Sequence, residues 1–189
     1  MKTRCFRCLL ALALLPATAL AGNWQIDPAK SRIGFEYKAM GAPLEGEFPQ
    51  YQADIQFDPA RPELATIRLD VATSRIDAGN PEATAEAGSA LFFDSRRYPL
   101  ARFSSTRVLS QGTGRYLVEG QLSIKGVTRP VQIASALKPQ GNRRQLSGGF
   151  TLKRLDFGIG EGVWSDTSAL ANEVRVSFSL QLVPQPGKP

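Results

Sequence analysis

The residues with the chemistry to catalyse a reaction are mainly carboxylates, because the 189-residue chain contains no histidine. A chain without imidazole cannot build a Ser-His-Asp triad or a His-ligated zinc or haem site. A pair of carboxylates, as in glycoside hydrolases, is the main remaining catalytic option. The acids within apolar alternating segments, however, fall in the outward register, where they keep the protein soluble: Glu36, Asp54, Asp70, Glu119 and Glu173. The pattern therefore favours a binding protein without catalytic residues, and a carboxylate-dependent hydrolase is the alternative.

Three polar residues extend inward-facing patterns and could meet the head group of a ligand. Thr73 and Arg75 continue the alternation of residues 67–71, and Ser105 follows Phe103. An arginine at the end of a strand suits an anionic or carbonyl group of a ligand. The competing interpretation is an arginine that is solvated or paired with an acid.

The first 21 residues have the pattern of a cleaved signal peptide. Lys2, Arg4 and Arg7 precede an apolar run, and residues 19–21 (ALA) fit the small-x-small cleavage rule. The run is shorter than the ~20 residues that cross a bilayer. Cleavage removes both cysteines of the chain, so the mature protein has no disulfides. We therefore expect export to a bacterial periplasm. The scattered basic residues do not predict nucleic-acid binding.

From Ser31 onward, apolar and polar residues alternate with a period of two, as in half-buried strands. The alternation gives about eight or nine strands. Short Gly-rich links at residues 111–114, 126–128 and 140–142 favour antiparallel hairpins. Asn80 and Pro81 predict a short helix, and a second irregular or helical stretch is expected at residues 165–171. Alternation alone allows either a two-sheet sandwich or a closed barrel.

Several ordered motifs resemble the YceI-like lipid/polyisoprenoid-binding family. The segment at residues 24–35 reads WQIDPAKSRIGF, and residues 92–94 (FFD) precede Tyr98-Pro99. The most specific block is GQLSIKGVTRPV at residues 120–131, and RLDFGIG at residues 154–160 fits a closing pattern. The resemblance runs from Trp24 to about Leu182.

This resemblance implies an all-β, lipocalin-like antiparallel barrel of about eight strands with one or two short helices in the connections. We expect the barrel domain over residues 22–183 and a flexible tail over residues 184–189. The expected ligand is a long-chain isoprenoid lipid or an isoprenoid quinone held in an apolar tunnel, with no other cofactor and no metal. The resemblance also implies, as a partner, a membrane cytochrome b561-type protein. The oligomeric state, monomer or homodimer, is left open.

An isoprenoid chain requires a dry lining, since each buried CH2 gains about 0.8 kcal/mol. Inward registers and connecting segments supply the tunnel candidates, which are Phe35, Tyr37, Phe57, Leu69, Val71, Phe92, Phe93, Phe103, Leu122, Ile124, Phe150, Leu152, Trp164 and Phe178. Phe92, Phe93 and Trp164 are expected to close or line the mouth. The alternative is a barrel filled by these side chains, which would act through its surface.

Overall fold

The structure, a computed structural model, describes residues 22–185. The signal-peptide prediction and most of the predicted tail lie outside these residues. Alternating apolar residues form ten strands in the described chain: β1 (Gly22–Ile26), β2 (Arg32–Ala39), β3 (Ala42–Glu47), β4 (Tyr51–Phe57), β5 (Thr66–Ala72), β6 (Leu100–Ser110), β7 (Arg115–Ile124), β8 (Val127–Gln140), β9 (Arg143–Lys153) and β10 (Glu173–Pro184). The single α-helix in this part of the chain, α1, spans Pro81–Ala87.

The strands form one antiparallel sheet that closes into a barrel. From β4 to β10, each strand pairs with the next along the chain. The short strand β1 pairs with both β4 and β10, which closes the ring. β1 and β2 pair with the two halves of β10, so together they fill one barrel position. β3 pairs with β2 and β4 pairs with β1, so β3 and β4 together fill the next position. The ten segments therefore make an eight-stranded barrel, as predicted.

Two interruptions explain why ten segments fill eight positions. A 3-10 turn at Pro28–Lys30 separates β1 from β2, and residues 48–50, with Pro49, separate β3 from β4. Proline removes a ladder donor, so both interruptions fit the rules for strand ends. The alternation starting at Ser31 missed β1, which is only five residues long.

The two barrel ends differ in the length of their connections. One end carries the β2–β3 turn, residues 73–99 between β5 and β6, the β7–β8 turn and residues 154–172 between β9 and β10. We call it the connection end. The opposite end carries the remaining hairpin links, together with residues 58–65 between β4 and β5.

The helix and the hairpins follow local sequence rules. Asn80 caps α1, its Oδ1 accepting the Ala83 amide at 2.8 Å, and Pro81 occupies the first turn. The predicted β7–β8 hairpin is a two-residue turn in which Lys125 (φ 50°) and Gly126 (φ 78°) are both left-handed. The second predicted irregular stretch, residues 165–171, contains turns and follows a 3-10 helix at Gly162–Trp164.

Candidate functional site

The barrel encloses an apolar cavity of about 640 Å³, within the ~300–1,000 Å³ common for small-molecule sites. The inward residues of β2 and of β4 through β10 line it, as does Leu44 of β3, with α1 and residues 92–93 and 159–170 at the connection end. Because the interior is hollow, the alternative of a filled barrel does not describe this chain.

Thirteen of the fourteen tunnel candidates line this cavity: Phe35, Tyr37, Leu69, Val71, Phe92, Phe93, Phe103, Leu122, Ile124, Phe150, Leu152, Trp164 and Phe178. The Phe92 and Trp164 rings meet edge-on at 5.8 Å between centroids. Phe48 links Phe35 and Phe93, with centroid distances of 5.0 and 6.1 Å. That these side chains contact a ligand remains a prediction.

Phe57, the remaining tunnel candidate, does not line the cavity. It ends β4 on the side away from the connection end and packs edge-on against Tyr116 at 5.1 Å. The indole Nε1 of Trp24 donates to the Phe57 carbonyl at 3.3 Å. Phe57 therefore belongs to the packed core beyond the bottom of the cavity.

The three head-group candidates also lie away from the cavity wall. β5 ends at Ala72, and a 3-10 helix follows at Thr73–Arg75. Thr73 is buried in this helix, and its hydroxyl donates to the Tyr98 carbonyl at 2.8 Å. Arg75 is exposed. Ser105 borders a register shift in β6, and its hydroxyl accepts the Ile67 amide at 2.9 Å. The alternation that assigned these three residues to the interior therefore does not place any of their side chains on the cavity wall.

Glycines make room for the aromatic rings of the wall. Gly46, Gly120 and Gly148 face the rings of Phe35, Phe103 and Phe178, and a Cβ on any of the three would overlap the ring beside it. These are extended-strand residues whose role is close approach, since none has a positive φ. The rings can therefore lie along the wall and leave the centre open.

Replacing Gly120 with alanine is expected to lower the free energy of unfolding by about 1–3 kcal/mol, as in other overpacked cores. The new methyl group would overlap the Phe103 ring and would lie 2.5 Å from the Ser104 carbonyl oxygen. Because the backbone of β6 on the other side leaves it no free space, the ring has to move. Urea unfolding measures the loss. Gly34→Ala is the control, since its Cβ would have no neighbour closer than 3.5 Å. Equal stability of the two variants would contradict this account of the wall.

Arg154 is the most unusual residue of the cavity wall. Its side chain lines the cavity although the residue is only 2% exposed. All five guanidinium N–H groups donate to carbonyl oxygens: Nε to Ala171 (3.0 Å), Nη1 to Ile159 (2.9 Å) and Gly160 (2.8 Å), and Nη2 to Trp164 (2.7 Å) and Leu170 (2.6 Å). Burial lowers the pKa of this guanidinium from its ordinary value.

These bonds hold residues 154–172, which we call the rim segment, against the connection end of the barrel. Gly160 has φ 73°, and a Cβ there would lie 2.5 Å from Arg154 Nη1, so the segment needs glycine at this point. Lys125 adds an outer anchor, its Nζ donating to the Gly158 carbonyl at 2.6 Å and to Glu161 at 2.9 Å. The rim segment is therefore fixed from inside and outside.

The other polar groups of the lining cluster mainly at α1. Asn80 and Glu82 are exposed and also line the cavity, so the cavity wall reaches the protein surface beside the helix. Glu86 lines it too and accepts the Ser89 hydroxyl at 3.1 Å. The Tyr37 hydroxyl donates to the Ala78 carbonyl at 2.8 Å, and burial raises its pKa.

Sequence reasoning missed Arg154 and Ser135 as cavity residues, although each had a signal. Arg154 follows Phe150 and Leu152 at the same spacing of two, and Ser135 follows Ile133. A polar residue in an inward register is the signal that should mark such positions. Among the described residues, no cluster of carboxylates or cysteines could hold a metal ion, and no helix is long and apolar enough to span a membrane.

Comparison with known proteins identifies the fold and its relatives. A UPF0312 protein of Azotobacter vinelandii is 32% identical over 186 residues, covering 93% of this chain and 95% of its own length. The crystal structure of Burkholderia cenocepacia BcnA superposes with a TM-score of 0.80 at 31% identity, covering 82% of this chain and 98% of BcnA. A polyisoprenoid binding domain from Saccharophagus degradans, implicated in plant cell wall breakdown, shares the fold with a TM-score of 0.67 at 14% identity, covering 87% and 99% of the two chains.

The YceI-like domain model matches residues 24–182, almost all of the described chain. The match agrees with the motifs at residues 24–35, 120–131 and 154–160 and with the closed eight-stranded barrel. The chain therefore belongs to the YceI-like domain family.

Proposed function

We propose that this chain is an exported periplasmic protein that binds a polyisoprenoid or an isoprenoid quinone in the barrel cavity, for carriage, storage or a stress response. The observation that carries the proposal is a hollow interior lined almost wholly by aliphatic and aromatic side chains. Such a lining suits an isoprenoid chain, which gains about 0.8 kcal/mol per buried carbon. The description of the Saccharophagus degradans domain as polyisoprenoid-binding supports the same ligand class.

The polar groups of the lining favour an uncharged head group. Among the described residues that line the cavity, Arg154 is the one cation, and all five of its N–H groups already donate to carbonyls. The carboxylates of Glu82 and Glu86 lie where the cavity reaches the surface. Carboxylates accept hydrogen bonds from a hydroxyl and repel a phosphate. We therefore favour a polyprenol or a quinol over a polyprenyl pyrophosphate.

A non-enzymatic role fits the placement of the strand carboxylates. Asp70 and Glu119 form ion pairs with Arg102 and Arg107 on the outer face of the barrel, with N–O distances of 3.5 and 3.0 Å. Glu36 and Asp54 are exposed on outward registers. A cytochrome b561-type membrane partner stays a prediction from the family resemblance, and the choice between monomer and homodimer stays open.

Purification of the protein from the periplasm, followed by mass spectrometry of its organic extract, tests the proposal. We expect an isoprenoid to co-purify and the protein's intact mass to correspond to a chain beginning at Gly22. In titrations, a polyprenol should bind roughly tenfold more tightly than its pyrophosphate ester, since a contact between like charges near the protein surface costs ~1–4 kcal/mol and ~1.4 kcal/mol is tenfold in affinity. An extract containing only bulk phospholipid, from folded protein that also fails to bind added polyprenol, would refute the proposal.

A further inference from the structure

Large apolar side chains are exposed mainly at the connection end of the barrel. Four such residues stand out in residues 22–185: Met40 (80% exposed), Val163 (82%), Leu91 (38%) and Leu64 (65%). Met40 lies in the β2–β3 turn, Leu91 follows α1, and Val163 lies in the rim segment, so these three share the connection end. Leu64 lies between β4 and β5 at the opposite end. We call Met40, Leu91 and Val163 the apolar rim.

Backbone hydrogen bonds hold the apolar rim in place. The Met40 amide donates to the Ala169 carbonyl at 2.8 Å, which joins the β2–β3 turn to the rim segment. The Leu91 carbonyl accepts the amides of Gly160 (2.8 Å) and Glu161 (3.1 Å). Since Arg154 fixes the same segment from inside, the three exposed side chains sit on a single bonded framework.

The apolar rim adjoins the cavity lining along the chain. Each of its members is adjacent in sequence to a cavity-lining residue: Met40 follows Ala39, Leu91 precedes Phe92, and Val163 precedes Trp164. Three separate segments of this end therefore each place an exposed apolar residue next to a cavity-lining one. A lipid leaving the cavity here would pass from one apolar surface to another.

We propose that the apolar rim docks on the surface of a phospholipid bilayer and that lipid passes between bilayer and cavity at this contact, an inference that rests on the proposed function. Exposed apolar side chains on a fixed framework can enter the headgroup–acyl boundary, as interfacial anchors do. A second protein is a poorer fit, because three side chains supply far less than the ~800 Å² per partner of a standard interface. Lys38, Glu161 and Asp166 give the surroundings mixed charge, so apolar burial and not attraction to anionic lipid drives the contact.

Transfer kinetics test this docking directly. Protein loaded with a fluorescent polyprenol is mixed with phosphatidylcholine vesicles that contain a quencher, and the transfer rate is followed as vesicle concentration rises. Contact-dependent transfer predicts a rate proportional to vesicle concentration and insensitive to salt. The double variant Met40→Asn with Val163→Ser should transfer at least roughly tenfold more slowly, with its equilibrium affinity for the polyprenol unchanged within about twofold. Asparagine suits position 40, whose φ is 50°.

Leu64→Ser is the matched control, since it removes an exposed apolar side chain from the opposite end, and its transfer rate should equal that of the wild type. A wild-type rate independent of vesicle concentration, a double variant as fast as the wild type, or transfer only to anionic vesicles at low salt would overturn the proposal. If the protein binds no polyprenol, the proposed function fails, and docking is judged separately by flotation of unloaded protein with the same vesicles. More wild type than double variant in the floated fraction would support docking, and equal amounts would overturn it.

Discussion

Replacing Arg154 with leucine is expected to lower the free energy of unfolding by about 3–5 kcal/mol, because it removes five hydrogen bonds to carbonyl oxygens at roughly 1 kcal/mol each. Leucine fills part of the same volume but leaves five carbonyls of the rim segment without their donor. The segment should detach from the barrel before the barrel itself unfolds, because within residues 22–185 no other side chain donates to these carbonyls. Denaturant unfolding gives the global loss, and amide hydrogen exchange of residues 159–171 gives the local one.

Two further variants separate the hydrogen bonds from the charge. Arg154→Lys keeps the charge but has three donors in place of five, so its stability should fall between leucine and wild type. Arg175→Leu removes an exposed arginine of β10 and should change stability by less than about 0.5 kcal/mol. Unchanged exchange of residues 159–171 in Arg154→Leu would show that the rim segment does not depend on this side chain.

The period of two predicted the strands and their inward faces, whereas the resemblance to the YceI-like family favoured a barrel over a sandwich. Each strand of a closed sheet has one face toward the interior, so Leu69, Phe150 and Phe178 could be assigned inward without coordinates. The helix was predictable because its signal is local: Asn80 caps the first turn and Pro81 begins it. Both features depend on residues close together in the chain.

Height along the barrel axis could not be predicted from the same pattern. Phe57 and Ile55 share an inward register, yet Ile55 lines the cavity and Phe57 packs with Tyr116 below it. Alternation specifies a face of the sheet but not how far a strand extends past the cavity. Thr73 and Arg75 lie outside the cavity lining for a related reason, since the alternation was extended beyond the point where β5 ends.

The role of Arg154 depends on partners that no local pattern reveals. Its spacing of two from Leu152, just past the end of β9, could be seen in the sequence. The five carbonyls that accept its hydrogen bonds, however, come from a loop whose path is set by Gly160 and by contacts with Leu91 and Lys125. A buried arginine without a carboxylate partner is otherwise unfavourable. Arg154 can therefore hold the cavity wall in place only when the folded rim segment supplies these carbonyls.

Filling the cavity should abolish lipid binding while the barrel stays folded. Ala53 of β4 and Ala101 of β6 both line the cavity, and phenylalanine at both positions places two rings in the space proposed for the isoprenoid chain. Each five-carbon unit that no longer fits loses about 4 kcal/mol of transfer free energy, at ~0.8 kcal/mol per carbon. The affinity for a polyprenol should therefore fall at least about a hundredfold. Titration with the fluorescent polyprenol measures it.

The matched control adds the same side chain to the opposite face of β4. Gln52 is exposed and adjacent to Ala53, so Gln52→Phe should leave the affinity unchanged. The filled variant should unfold at the same or a higher denaturant concentration than the wild type, because its new rings occupy empty volume and not the space of other side chains. A loss of stability comparable to that of an overpacked core, with binding retained, would mean that the interior relaxes around added side chains and that the ligand lies elsewhere. Because Gln52→Phe and Ala53→Phe place one ring each on opposite faces of β4, comparing these single variants beside the double variant assigns the lipid to the inside or to the outside of the barrel.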